Sequence, residues 1–143
     1  MIKILTIGTW DIPHIGHYNF LNRIKRLYPD SYLVVGVNRD EFIERFKSKK
    51  PLFSYQERFD LISSIDIIDK VLKNYGDEDS KILIKKVKPD VIVIATDWLR
   101  KDYLKQMDLT VDWLEKNNIA LSYIPYTLIA DISTTELKRR LKG

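Results

Sequence analysis

A chain of 143 residues is long enough for one domain with a single well-filled core, and 45% hydrophobic against 31% charged residues is the balance of a globular protein. There is no cysteine, which excludes a disulfide framework and any thiol nucleophile, and no apolar run approaches the length of a membrane span. The net charge of +4 suits a protein that handles polyphosphates, but the basic residues are mixed with acids except at 47–50 and 138–140, so charge alone does not point to nucleic acid. The N-terminal methionine leads straight into a strand pattern with no signal-peptide layout, and a cytoplasmic protein is expected.

Residues 3–8 read as a buried strand that ends at Gly8. A polar turn with Pro13 follows, and then Ile15, Tyr18, Leu21, Ile24 and Tyr28 recur at spacings of three and four, marking one face of a helix to about Tyr28. His14 and His17, the two histidines of the chain, therefore stand at a helix start, where unpaired N–H groups and the helix dipole attract anions. Gly16 between them lets a ligand approach the backbone, and the arrangement suits a phosphate with two imidazoles aimed at it. An ordinary capping histidine beside a surface one is the plainer explanation of a bare H-x-x-H. The strand–turn–helix setting favours the phosphate. Two histidines three apart make only half a zinc site, so no protein-held metal is expected.

Residues 32–37 form a β-branched run typical of a central strand, and Asn38 can cap a short helix over 40–46. A loop over 47–53 contains Lys47 and Lys49. Ser54 to Glu57 is a capping box that opens a helix to about Ile65. Residues 68–73 make a short strand, 80–87 a helix, 91–94 a strand buried on both faces, 108–118 a helix and 121–124 a fifth strand. A loop over 125–132 leads to a second capping box, Ser133 to Glu136, and a last helix to Leu141. Strands alternating with helices imply one α/β domain over residues 1–143, with a five-stranded, mainly parallel sheet of Rossmann-like type and helices on both faces. Ligands of such sheets bind beyond the carboxyl ends of the strands, where the histidine turn and Asp97-Trp98 both fall.

Gly8-Thr9-Trp10-Asp11 followed by His14-Ile15-Gly16-His17 resembles the G-T-F-D-x-x-H-x-G-H motif of the nucleotidyltransferase superfamily, with Trp10 where phenylalanine is usual. The likeness is strongest to its cytidylyltransferases, in particular those that act on glycerol 3-phosphate, and runs over nearly the whole chain. It implies nucleotide-binding roles for Gly8, Thr9, Trp10, Asp11, His14, Gly16 and His17. Ile132-Ser133-Thr134-Thr135 resembles the I-S-T-T segment that closes the same active site, its hydroxyls and N–H groups forming a phosphate cradle. Asp97-Trp98 resembles the G-D-D-W that shapes the base and ribose pocket. Lys47 and Lys49 match loop lysines that meet nucleotide and acceptor phosphates. Arg58 matches the arginine of an S-Y-x-x-R segment, holding phosphate or bracing the helix, and Lys81 matches a lysine that meets the phosphorylated acceptor.

The activity so implied joins CTP to a small phosphorylated alcohol such as glycerol 3-phosphate and releases pyrophosphate. An acceptor phosphate oxygen attacks the α-phosphorus in line, so the protein chiefly positions reactants and stabilises charge. His14, His17 and Lys47 are the expected catalytic groups, Mg²⁺ bound with the nucleotide phosphates the expected cofactor, and a homodimer the expected assembly. Neither nucleic acid nor a membrane is an expected partner. The family's R-T-x-G before I-S-T-T is replaced by Leu128-Ile129-Ala130-Asp131, one carboxylate of G-D-D-W is absent, and Asp66 stands where a basic residue is usual. Lys138, Arg139 or Arg140 could supply the charge of the missing arginine. Two alternatives follow: an adenylyltransferase that uses ATP on a cofactor precursor, and a weakened nucleotide-binding regulator with the same fold.

Overall fold

The computed structural model describes residues 1–11, 14–95, 103–124 and 134–142, with side chains at all of these except positions 47, 103, 106 and 134–136. The element order is β1 (Lys3–Gly8), α1 (Ile15–Leu27), β2 (Tyr32–Asn38), α2 (Asp40–Lys47), α3 (Tyr55–Ser63), β3 (Lys70–Asn74), α4 (Lys81–Val87), β4 (Val91–Ala95), α5 (Tyr103–Gln106), α6 (Val111–Lys116), β5 (Ala120–Ile124) and α7 (Thr134–Leu141). The strands form one sheet in the order β3-β2-β1-β4-β5, and every pairing is parallel. This is a Rossmann-like α/β fold, with the strand order reversing at β1.

Side chains alternate across the sheet and so build two cores. Ile4, Leu33, Val35, Val37, Val91 and Val93 meet Phe20, Leu21 and Ile24 of α1 and Ile62 of α3. Leu5, Ile7, Val34, Ile92 and Ile94 face the other way, onto Leu83, Ile84 and Val87 of α4 and Leu114 of α6. Gly36 permits the close fit of α4, because a Cβ there would stand 2.8 Å from a Leu83 methyl. β1 and β4 pair only at Ile4–Val91 and Leu5–Ile92. Beyond that the buried Thr6 hydroxyl bridges the gap by donating to the Val93 carbonyl at 3.0 Å, which marks where the two strands part at the reversal point.

Four differences from the sequence expectation have a visible cause. β3 begins at Lys70 rather than 68, because Ile67 and Ile68 pack into the α1-side core and the Asp69 carboxylate accepts from the Leu33 N–H and from Lys25. α6 is shorter than 108–118: Asp108 takes a positive φ of 55°, and Thr110 caps the helix by accepting from the Trp113 N–H. The turn of helix α5 is new, its one-turn length being below what periodicity detects. Asn38 does not cap α2; it belongs to β2 and its side chain accepts from Asn74, while Arg39 holds the N-cap position without a side-chain capping bond. The Ser54–Glu57 capping box forms as expected.

Candidate active site

The histidine turn lies just past the carboxyl end of β1, at the reversal point of the sheet. Trp10 takes a left-handed φ of 57°, uncommon for a bulky residue and held here by packing. Its indole lies over Gly8, where a Cβ would come within 3.0 Å of the ring, and its N–H donates to the Gly36 carbonyl at 3.0 Å. Only 6% of Trp10 is exposed. Its observed role is therefore to plug the end of the sheet and support His17, whose ring meets it edge-on at 5.4 Å.

His14 is the N-cap of α1 in extended backbone, and the two histidines close a reciprocal capping box. The Gly16 N–H donates to His14 Nδ1 at 2.9 Å, and the His14 N–H donates to His17 Nδ1 at 3.2 Å. An Nδ1 that accepts carries no proton, so in each neutral ring the proton sits on Nε2 and makes that nitrogen a donor. The rings stand 4.0 Å apart. Burial pushes His14 below the usual imidazole value, and burial with the neighbouring His14 pushes His17 down to about 3. At neutral pH the pair is thus two fixed, uncharged N–H donors. No acidic residue stands in the first turn of α1 to oppose an anion at its positive end.

Asp11, three residues before His14, is 5% exposed and ties distant parts of the chain together. Its carboxylate accepts from the backbone N–H groups of Leu52 and Phe53 at 2.8 and 2.9 Å and from Lys138 Nζ at 2.8 Å. Burial would raise its pKa, but these donors outweigh that and hold the carboxyl below its ordinary value. The loop after α2 is thereby docked on the histidine turn.

The remaining expectations divide. Arg58 is corrected: it is fully buried and does not present a guanidinium to an acceptor. It donates to the carbonyls of Phe53, Thr9 and Asn38 and to the Asp40 carboxylate, bracing the ends of β1 and β2 against α2 and α3. Lys81 opens α4, the helix packed on the face of the sheet opposite α1. Its ammonium is paired with Asp108 and Asp79. Lys47 is the last residue of α2 rather than a loop residue, followed by Ser48 at φ 55°, and its side chain lies outside the described residues. Lys49 is exposed in the docked loop. Asp97, Trp98, Ile132 and Ser133 lie outside the described residues, as do the side chains of Thr134 and Thr135, which open α7. Sequence reasoning missed the group at the ends of β2 and β3, where Arg39 and Arg45 share the buried Asp77 and Arg45 also holds Glu78. Its one signal was position, after strand ends at the ligand-binding edge.

Among the described residues no group of three or more histidines and carboxylates could hold a metal ion, and no helix is long and apolar enough to cross a membrane.

Two fixed donors at a helix start, beyond the reversal point of a parallel sheet, suit a reaction in which charge builds on phosphate oxygens. The chain is a nucleotidyltransferase of the α/β type. Residues 5–140 match the model of the family described as cytidylyltransferase-like, and the chain belongs to that family. It is 35% identical to the glycerol-3-phosphate cytidylyltransferase of Bacillus subtilis (strain 168), with 100% of this chain and 99% of that protein covered. It is 30% identical to the FAD synthase of Thermococcus sibiricus, covering 94% of this chain and 87% of that one. Among solved structures it is similar to the lipopolysaccharide core biosynthesis protein from Thermoplasma volcanium, at a TM-score of 0.69 and 28% identity, over 90% of this chain and 98% of that chain.

Proposed function

We propose that the chain transfers the cytidylyl group of CTP to the phosphate of a small phosphorylated alcohol, glycerol 3-phosphate or a close analogue. An acceptor phosphate oxygen attacks the α-phosphorus, the bond from that phosphorus to the bridging oxygen breaks, and pyrophosphate leaves. The observation that carries this reading is the pair of Nε2–H donors fixed through their Nδ1 atoms at the start of α1. Their orientation is set before any ligand arrives, so little reorganisation accompanies the build-up of charge. The choice of CTP and of the acceptor is supported by full-length similarity to proteins named glycerol-3-phosphate cytidylyltransferase.

Lys47, Lys49 and the α7 start carrying Thr134 and Thr135 would neutralise the remaining phosphate charge. The Asp11 carboxylate already accepts from Leu52, Phe53 and Lys138, and the described residues supply no metal cage. Mg²⁺, which is commonly held by substrate phosphates and water, would therefore enter bound to the triphosphate and add charge neutralisation there. A homodimer in the cytoplasm, without nucleic acid or membrane as partner, completes the proposal.

Pyrophosphate release with CTP and a panel of phosphorylated alcohols tests it, with calorimetric binding of CTP and ATP run beside it. The full-length similarity to a protein named FAD synthase favours the second reading, adenylyl transfer from ATP to a cofactor precursor. Tighter binding of ATP than CTP decides for that reading. Silence with every acceptor, alongside tight nucleotide binding, decides for a regulator.

A further inference from the structure

The Lys138–Asp11 contact joins the last helix to the histidine turn across nearly the whole sequence. An exposed ion pair contributes little to stability, because water screens it and two long side chains must be ordered. This one is different on one side: Asp11 has 6% of its side chain exposed, Lys138 39%. A buried carboxylate needs both hydrogen bonds and a counter-charge. Leu52 and Phe53 supply the first, and Lys138 supplies the second.

The placement has a consequence for the site. Lys138 follows Thr134, the first residue of α7, by four positions, so its Cα lies one helical turn, about 6 Å, from the start of that helix. Asp11 is three residues from the N-cap of α1. Pinning Lys138 to Asp11 therefore sets the start of one helix against the start of another, with the Leu52–Phe53 backbone held by the same carboxylate. Helix starts are where phosphate would be gripped. With Lys138 absent, Asp11 keeps its backbone donors, but nothing of this contact ties α7 to the turn.

We propose that Lys138 is a positioning residue of the nucleotide site, the cation that draws the start of α7 onto the histidine turn through Asp11. Its kinetic consequence rests on the nucleotidyl-transfer reading; its structural consequence does not. Amide hydrogen exchange on the substrate-free protein reads the second. Lys138→Met should speed exchange of the α7 amides by about tenfold or more while Leu52 and Phe53 stay protected. Asp11→Asn should speed exchange at both places. Lys138→Arg, which keeps the charge and the reach, should restore the α7 protection, and Lys142→Met, one turn further along, should change nothing. Lys138→Gln serves as a second, polar variant should the methionine disturb folding. In steady-state assays with CTP, Lys138→Met should raise KM for the nucleotide several-fold more than it lowers kcat, again with rescue by arginine; a merely stabilising contact would leave that split unmoved. Wild-type α7 exchange in both Lys138→Met and Lys138→Gln overturns the proposal. So does faster exchange that leaves the nucleotide KM unchanged in an active enzyme. Absence of turnover with any nucleotide would count against the nucleotidyl-transfer reading, and the α7 exchange would then decide the latch alone.

Discussion

His17 makes a quantitative statement about stability against pH. Its imidazole is pushed down to about 3 in the folded protein, against 6.5 as its ordinary value. Above pH 6.5 the ring is neutral in both states and nothing is linked. As pH falls below 6.5 the unfolded chain takes up a proton that the folded chain refuses, so stability falls steadily until the folded value is reached. Each pH unit in that window is worth up to about 1.4 kcal/mol, and the two units from 6.5 to 4.5 up to about 2.7. His17 keeps some contact with solvent, so roughly 2 kcal/mol is the working figure. The carboxylates held low, Asp11, Asp69 and Asp77, start from 3.8, and Glu78 from 4.5, so their contribution is present above those values and lost at lower pH. The interval from 6.5 to 4.5 therefore belongs mainly to the histidines, His14 adding in the same direction. Urea unfolding at pH 7.0, 5.5 and 4.5 measures it. His17→Asn is the matched variant, because its amide oxygen can accept the His14 N–H as Nδ1 does. The variant should lose about 2 kcal/mol less than the wild type over the interval. Parallel pH dependence in the two proteins would refute the buried, neutral His17 described above.

Three further expectations follow from the same geometry. Arg58→Met leaves three carbonyls and Asp40 without their donor, and should cost about 3–5 kcal/mol in denaturant unfolding; unchanged stability with a raised acceptor KM would return Arg58 to the acceptor site. His14→Ala and His17→Ala should each lower kcat for pyrophosphate release on the order of a hundredfold while calorimetric CTP binding changes far less, since their donors act on the developing charge; a folded His17→Ala enzyme with most of its kcat would remove the mechanism. Trp10→Phe removes the N–H that Gly36 accepts and should cost about 1–2 kcal/mol of stability, measured by urea unfolding, with a loss below a few tenths showing that the hydrogen bond is dispensable.

Most of the fold was legible because burial leaves a local mark. The alternation of helix and strand patterns was enough for an α/β sheet, and Val91 to Ile94 read correctly as buried on both faces. Capping boxes are written within four residues, and Ser54–Glu57 formed as read. Where boundaries slipped, a side chain from elsewhere had intervened. Asp69 spends its carboxylate on Leu33 and Lys25, 36 and 44 residues away, and so ends as an anchor before β3 instead of a strand residue. The start of α6 turned on the backbone of Asp108, whose positive φ no periodicity announces.

The site was legible to the same extent and for the same reason. His14 and His17 bond to each other's neighbourhood within three residues, and the periodic run from Ile15 to Tyr28 placed them at a helix start. The partners of two buried charges, Arg58 and Asp11, were not legible, since an arginine in a helix looks alike whether it faces solvent or four acceptors. Arg58 was read as a phosphate ligand or a brace, and what distinguishes the two is the convergence of Thr9, Asn38, Phe53 and Asp40, drawn from four segments. Asp11 was assigned to the nucleotide, yet its oxygens accept from Leu52, Phe53 and Lys138. These two residues have one physical logic. A buried charge is tolerable only when surrounding segments neutralise it, and the segments that do so are thereby fixed in place. Arg58 collects the ends of β1 and β2, and Asp11 collects the loop and α7. The histidines stand between these two anchors as neutral donors, and the charges nearest to them serve to hold the frame against which they are aimed.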